Sequence, residues 1–171
     1  QQDGQWVDHA SPCEPQRPTA KILRQSEQVI LSLPQGLVLR FSGIYGGGRD
    51  YLLRQVMQGK GGGDTYTNRI HVEDGCAAIL HLMHMEKENL APIYLASDKA
   101  PVSSREIRMW LAQQLACDAP GLDVSEASSR AGNKRCDSRL LEASGFTFRY
   151  PSYKEGYLGA IARFKREHHL I

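Results

Sequence analysis

The segment VLRFSGIYGGGRD is the part of the sequence whose residue types are best suited to bind a small molecule. It begins as an apolar strand and continues into Ser42, Gly43, Ile44 and Tyr45, then into three glycines and Arg49. In an open α/β sheet, ligands bind outside the carboxyl ends of the strands, where these residues would lie. A guanidinium at that edge, here Arg49, can form two parallel hydrogen bonds to a phosphate or a carboxylate.

Two plainer interpretations of the same segment stay open. The glycines can simply permit the positive φ angles of a strand-to-loop turn. Arg49 can be an exposed, solvated side chain without a ligand. The elements around the segment must therefore be considered before a site is assigned to it.

Composition limits the classes of function that need to be considered. The chain has 171 residues, which suits one domain, and 41% of them are hydrophobic. A net charge of +2 is too small to indicate a nucleic-acid partner. No apolar run is long enough to span a bilayer, and the first residues do not resemble a secretory signal, so we expect a cytoplasmic protein. The four cysteines are scattered without a CxxC pair, which predicts neither a zinc site nor a disulfide framework.

Helical and strand patterns alternate along the chain. A helix is predicted from Pro18, with Ile22, Val29, Ile30 and Leu33 at helical spacing. The segments GLVLRF, TYTNRIHV and PIYLAS are predicted strands, and Ser103 with Glu106 and Ser152 with Glu155 form capping boxes that begin two later helices.

This alternation predicts an α/β fold with a mainly parallel sheet. The sheet, however, is short of strands. Two or three short strands rarely form a stable sheet alone, and the apolar segments LVLRF and IYLA both need cover on their two faces. The chain is therefore expected to lack most of the sheet to which its strands belong.

Five segments occur in the order found in one enzyme family: PTAKILRQSEQVIL, VLRFSGIYGGGRD, NRIHVEDGCAAILHL, IYLASDKAPVSSREI and CDSRLLEASGFTFRYP. Together they resemble the NAD-dependent epimerase/dehydratases, the extended branch of the short-chain dehydrogenase/reductase superfamily. The resemblance is greatest to the atypical bacterial members and covers nearly the whole chain. It implies a Rossmann-like NAD(P)-binding fold with a smaller substrate domain, NAD or NADP as cofactor, and a homodimer as a possible assembly.

The resemblance also implies that residues 1–171 are the C-terminal part of such a protein. The family grips the dinucleotide with a G-x-x-G-x-x-G turn after its first strand, where glycines let the backbone approach the pyrophosphate. This sequence has no such turn. The segment GKGGGD is rich in glycine, but it follows a predicted helix and precedes a strand, which is the wrong context. The N-terminal dinucleotide-binding half is therefore expected to be absent.

The family's catalytic pair is replaced in this chain. A Tyr-x-x-x-Lys motif on a helix usually moves the hydroxyl proton during hydride transfer. Aligning the helix that begins at Pro18 places Thr19 at the tyrosine position and Leu23 at the lysine position. Thr19 is thus the catalytic candidate, although a threonine hydroxyl is a poor acid or base without an activating neighbour. The alternative is an ordinary residue at a helix start.

The resemblance assigns further residues to binding. Ser42, Gly43, Ile44 and Tyr45 would line the nicotinamide end of the cofactor pocket. Arg49 is a substrate-binding candidate on its own chemistry, because its guanidinium can bind a phosphate or a carboxylate.

The strand in TNRIHVED would pass beside the substrate, so Asn68 and His71 are also substrate-binding candidates. A lone histidine is more often a structural hydrogen-bonding residue, and Asp74 is better explained as a helix N-terminal charge. Lys134 and Arg135 lie where extended members often contact a nucleotide phosphate, with solvated loop charges as the alternative.

The resemblance implies an NAD(P)-dependent oxidoreductase or epimerase/dehydratase that acts on a nucleotide-sugar-like substrate. Because the tyrosine and lysine are missing, a non-catalytic dinucleotide- or ligand-binding sensor protein of the same fold is the alternative. The sequence does not determine the substrate or the choice between NAD and NADP.

Overall fold

The computed structural model of the chain describes residues 3–122 and 132–169. Six α-helices and eight short strands lie in these ranges. The helices are α1 (Pro18–Leu31), α2 (Tyr51–Met57), α3 (Val72–Met83), α4 (Ser104–Leu115), α5 (Arg139–Ala143) and α6 (Tyr153–Glu167), with a 3₁₀ turn at Lys87–Asn89. The strands are β1 (Gln5–Val7), β2 (Val38–Phe41), β3 (Gly43–Tyr45), β4 (Tyr66–Thr67), β5 (Arg69–His71), β6 (Ile93–Ala96), β7 (Val102–Ser103) and β8 (Lys134–Cys136).

The local signals for helix starts are confirmed. Helix α1 begins at Pro18, where the missing N–H of proline costs nothing. Ser103 is the N-cap of α4, and its hydroxyl accepts a hydrogen bond from the backbone N–H of Glu106 at 3.0 Å. Ser152 is the N-cap of α6, and its hydroxyl donates a hydrogen bond to the carboxylate of Glu155.

The segment TYTNRIHV is two strands rather than the one predicted. β4 pairs antiparallel with β7, whereas β5 pairs parallel with β3. Between them lies Asn68, whose side chain turns away to bind the backbone of β8. The change of partner interrupts the ladder, so a pattern that alternates over the whole segment does not reveal the break.

The strands pair two at a time, and three of the four pairs are parallel, as predicted. β1 pairs with β8, β2 with β6, and β3 with β5. Within the described residues β2 has β6 as its one strand neighbour. Its other edge leaves backbone N–H and C=O groups without a ladder partner, which is a costly state for an apolar strand.

Two groups of buried side chains form the core. The first lies between α2, α4 and α6, and includes Leu53, Ile107, Leu111, Tyr157 and Phe164. The second lies between α3, α5 and the strands β5 and β6, and includes Ile70, Ala78, Tyr94, Leu141 and Phe146. Helix α1 contributes a buried residue to neither group.

Helix α1 is attached to the rest of the chain mainly by charge. Glu27 accepts two hydrogen bonds from Arg40 of β2, at 2.8 and 2.7 Å, and one from Arg24 at 3.0 Å. These bonds lower the pKa of Glu27, with Arg40 as the largest cause. The apolar side chains of α1 stay uncovered: Leu23 is 67% exposed and Val29 is 64% exposed.

Helix α3 adds to this uncovered apolar surface. Met83 is 74% exposed and Leu80 is 55% exposed, although both lie on a helix whose other side is packed in the core. Large apolar side chains concentrated on two helices beside an open strand edge indicate a surface that another part of a fold covers. The expectation that the chain lacks most of its sheet stays a prediction.

The two glycines of α6 make a matched test of how α6 packs against Tyr45. A Cβ atom on Gly156 would lie 1.9 Å from the hydroxyl of Tyr45, whereas one on Gly159 would meet no atom within 4 Å. We expect Gly156→Ala to lower the free energy of unfolding by about 1–3 kcal/mol, because a packed interior resists overfilling. Gly159→Ala should raise it by about 0.5–1 kcal/mol, since alanine favours a helix interior.

Urea unfolding of both variants measures the difference. Equal midpoints for the two variants would show that α6 is not packed on Tyr45 as described.

Candidate ligand-binding crevice

The carboxyl ends of two parallel strand pairs carry the polar residues predicted to form a site. Phe41 of β2 pairs with Ala96 of β6, and Tyr45 of β3 pairs with His71 of β5. Ser42 follows β2 directly, and its backbone N–H donates to the carbonyl of Ala96 at 3.0 Å. Residues that are distant in sequence therefore meet at one edge of the strands.

A cavity of about 340 Å³, here called the crevice, lies beside the end of β2. Its walls are the loop after β1, the first turns of α1, and the ends of β2, β6 and β8. The lining includes Leu23, Arg40, Ser42, Leu95 and Cys136. Of the two positions predicted to replace the family's catalytic pair, Leu23 lines the crevice, whereas Thr19 is exposed in the first turn of α1 and is not part of the lining.

The four residues predicted to line a cofactor pocket are placed differently from one another. Ser42 lines the crevice together with Cys136. The N–H of Gly43 donates to the carbonyl of Asn68 at 3.1 Å, and Ile44 is 42% exposed. Only Ser42 of the four therefore reaches the crevice.

Tyr45 belongs to the core rather than to the crevice. Its side chain is 3% exposed, its ring stacks on Tyr157 with 4.5 Å between centroids, and its hydroxyl donates to the carbonyl of Ser152 at 3.4 Å. Burial raises the pKa of Tyr45 far above that of a free tyrosine. This phenol is not a source of protons for a ligand in the crevice.

Asn68 has a complete set of backbone partners. Its Nδ2 donates to the carbonyl of Lys134 at 2.9 Å, and its Oδ1 accepts from the N–H of Cys136 at 2.7 Å. An amide that is held at both ends by one strand fixes that strand in place. Asn68 thus positions β8, and through it Cys136, at the crevice wall.

His71 is held between two rings and a helix start. It is 6% exposed, its Nδ1 accepts from the N–H of Glu73 at 3.3 Å, and its ring lies 4.0 Å from that of Tyr150. Burial lowers the pKa of His71. A Cβ atom on Gly46, which has φ of +83°, would lie 2.3 Å from Nε2, so this position needs glycine. The geometry is that of a structural hydrogen-bonding histidine.

Arg49 lies just after the glycine turn and is exposed. Its backbone N–H donates to the carbonyl of Gly46 at 3.2 Å, which closes the turn. The glycines at 46, 47 and 48 all have positive φ, as the plainer interpretation of the segment requires. The role of Arg49 in substrate binding stays a prediction.

Sequence reasoning missed three features of the crevice. Arg40 and Glu27 form an ion pair across one wall, and Cys13 and Cys136 both line the cavity. The ion pair left a signal: a charged residue inside the apolar strand segment LVLRF needs a partner when it is half-buried. The cysteines left none, because 122 residues separate them in the sequence and they come to one cavity only through the pairing of β1 with β8.

A buried carboxyl group lies at the end of β6. Asp98 is 2% exposed, and its Oδ1 accepts from the N–H of Ala100 at 3.2 Å. Its Oδ2 is buried without a hydrogen-bond partner among the described residues. Burial raises the pKa of Asp98 to about 7, and the Ala100 N–H and the charge of Arg69 offset this only in part.

The raised pKa of Asp98 makes stability depend on pH. In the folded state the carboxyl keeps its proton up to about pH 7, whereas in the unfolded chain it loses the proton near 3.8. The stability that the protonated form contributes is therefore present at low pH and is lost as pH rises through about 7. We expect Asp98→Asn to remove this slope and to raise the free energy of unfolding above pH 7, by on the order of 1–4 kcal/mol.

Urea unfolding at several pH values measures the effect. Asp118→Asn, at an exposed position, is the matched control and should keep the slope of the parent chain. An Asp98→Asn variant that keeps the parent slope would contradict the assignment.

In residues 3–122 and 132–169, no three His, Cys, Asp or Glu side chains are grouped so that they would hold a metal ion. Across the same ranges, no helix combines the length and the apolar character that crossing a membrane requires.

Comparison with known proteins identifies the fold. No protein-family model matches the chain, and no curated protein matches it. Solved structures do match. A protein from Methylobacillus flagellatus that is assigned to the NAD-dependent epimerase/dehydratases is 29% identical, with a TM-score of 0.81 over 97% of this chain and 60% of its own. The chain has the fold of the epimerase/dehydratases.

Two further epimerase/dehydratase structures support this assignment of the fold. The dTDP-glucose 4,6-dehydratase of Bacillus anthracis, in complex with NAD, is 14% identical with a TM-score of 0.76, and the match covers 98% of this chain and 58% of that one. A human epimerase family protein with NADPH is 17% identical with a TM-score of 0.73, over 95% of this chain and 61% of that one. The predicted Rossmann-like α/β fold and the resemblance are confirmed, and this chain spans about 60% of the length of the structures it matches.

Proposed function

We propose that this chain is the C-terminal part of an NAD(P)-dependent oxidoreductase or epimerase/dehydratase that acts on a nucleotide-sugar-like substrate. The observation that carries the proposal is the crevice at the carboxyl end of β2. It lies where ligands bind in open α/β sheets, and the similar structures include one that holds NAD and one that holds NADPH.

The open edge of β2 supports the assignment to a C-terminal part. A preceding half would add a parallel strand along Val38–Phe41 and cover the apolar side chains of α1 and α3. The same half would carry the glycine turn for the pyrophosphate, which this sequence lacks. Residues 1–171 are thus proposed to supply the substrate-side wall of a site that two halves share.

The fit of the dinucleotide to this chain is partial. The crevice can take the nicotinamide end, and Ser42 offers a hydroxyl there. When bound, NAD(P) supplies the group that accepts or donates a hydride. The chain's own residues bind and orient: the ion pair of Glu27 and Arg40 fixes α1 beside β2, and Leu23 supplies an apolar surface in place of the family's lysine.

Proton transfer is the step of the proposed reaction for which the crevice has the weakest candidate residue. Thr19 is the catalytic candidate by resemblance, but its side chain is exposed and does not line the crevice. A hydroxyl needs an adjacent base to act as a nucleophile or acid at neutral pH. This placement favours the second candidate function, a non-catalytic sensor protein that binds a dinucleotide or related ligand. A homodimer and a cytoplasmic location stay predictions.

The dinucleotide proposal is tested with the full-length polypeptide that contains this chain and with residues 1–171 alone. Calorimetry should detect NAD or NADP binding to the full-length protein and no tight binding to the shorter chain, because the pyrophosphate turn is outside it. Tight binding to residues 1–171 alone, or none to the full-length protein, would contradict the proposal.

The same full-length protein separates the enzyme from the sensor. Nucleotide sugars are added with the bound cofactor, and the absorbance of the reduced dinucleotide is followed. If Thr19 moves a proton, Thr19→Val should lower the rate by about 10²–10⁴-fold with unchanged cofactor affinity. Thr147→Val, at another exposed threonine, is the control. Cofactor binding without turnover across a wide substrate panel would favour the sensor.

A further inference from the structure

Two of the four cysteines line the same cavity. Cys13, in the exposed loop after β1, and Cys136, half-buried at the end of β8, both line the crevice. Cys76 is exposed on α3, and Cys117 is half-buried after α4, and neither lines the crevice. Two thiols therefore lie at the crevice, and the other two lie elsewhere on the chain.

Strand pairing brings the strand that precedes the Cys13 loop against the strand that carries Cys136. Val7 is the register partner of Cys136 in the pair formed by β1 and β8, and the N–H of Asp137 donates to the carbonyl of Val7 at 2.8 Å. Cys13 follows Val7 by six residues, a reach of roughly 20 Å when fully extended. A turn closed by Asp8 and Ser11 shortens this reach.

The surroundings of the two thiols differ in a way that assigns each a role. Cys13 is exposed at a crevice wall that also carries Arg40, and an oxidant in solution reaches an exposed thiol before a half-buried one. Cys136 is half-buried, and burial raises the pKa of its thiol, partly offset by Lys134. Cys13 is thus the thiol that an oxidant reaches first, with Cys136 behind it.

We propose that Cys13 and Cys136 are a redox pair, which a hydroperoxide converts into a disulfide across the crevice. The Cys13 thiolate attacks the O–O bond, which breaks to leave a sulfenic acid on Cys13 and an alkoxide or hydroxide that takes up a proton. The Cys136 sulfur then attacks the Cys13 sulfur, the S–O bond breaks, and the oxygen leaves as water with the thiol proton. Each peroxide is reduced by two electrons, and the two thiols are oxidised to one disulfide.

The disulfide would fix the loop over the crevice. A disulfide needs Cβ atoms within about 3.5–4.5 Å, so the loop must close onto β8. The loop between β1 and α1 contains no helix or strand whose hydrogen bonds this closure would have to break. If the proposed function holds, the closed loop restricts the pocket that takes the nicotinamide end. The consequence for activity rests on that function, but the disulfide itself does not.

Peptide mapping of the full-length polypeptide tests the disulfide directly. The protein is treated with hydrogen peroxide, its remaining thiols are alkylated, and trypsin is added without a reductant. The four cysteines fall in separate tryptic peptides; that of Cys136 is residues 136–139, and that of Cys13 ends at Lys21 because the bond before Pro18 resists trypsin. We expect the peptides of Cys13 and Cys136 to be linked, and dithiothreitol to separate them.

Serine variants control the assignment. Cys13→Ser and Cys136→Ser should each abolish the linked peptide, whereas Cys76→Ser should leave it at the parent level. In Cys136→Ser, Cys13 should instead accumulate as sulfenic and sulfinic acids. A parent protein in which Cys13 is over-oxidised without a link, or is linked to Cys76 or to a second molecule, would overturn the proposal.

Hydrogen exchange reports closure of the loop without relying on activity. On oxidation, the amides of residues 8–17 should exchange more slowly in the parent protein. In Cys136→Ser, the exchange rates of these amides should not change. Unchanged exchange in the oxidised parent would overturn the closure. If the link and the protection are found but neither form of the protein binds a dinucleotide, the proposed function fails while the redox pair stands.

Discussion

The structure depends on one constraint, the open edge of β2. Parallel strands join buried sheets with neighbours on both edges and cover on both faces, since each unpaired peptide group and each exposed apolar side chain has a cost. In the described residues β2 has one neighbour, and the helices beside it expose Leu23, Val29 and Met83. The crevice, the uncovered helices and the proposed cofactor site all follow from this one-sided strand.

Local patterns in the sequence are sufficient for the helix starts and for β2 and β6, but tertiary pairing is not readable from them. The capping boxes at Ser103 and Ser152 and the helix start at Pro18 depend on neighbouring residues, so they could be predicted. The break at Asn68 depends on a partner, β8, that lies 66 residues away in the sequence. Likewise, the apolar stripe of α1 predicts a buried face, but it does not say which polypeptide segment covers that face.

The candidate site shows the same difference between what local patterns predict and what tertiary packing determines. The segment after β2 was predicted to lie at the ligand edge, and Ser42 does reach the crevice, while Tyr45 and His71 turn into the packed interior. Their positions depend on stacking with Tyr157 and Tyr150, contacts across more than 70 residues of sequence. The resemblance to a family located the edge of the sheet, but only the packing determines which side chains face the ligand.

Amide exchange at β2 tests the central claim most directly. The N–H groups of Val38 and Ser42 donate to β6, so those of the alternate residues, Leu39 and Phe41, point to the open edge. In NMR exchange experiments, the amides of Leu39 and Phe41 should exchange rapidly in residues 1–171 alone and become protected in the full-length polypeptide. Equal exchange of these two amides in both proteins would contradict the account.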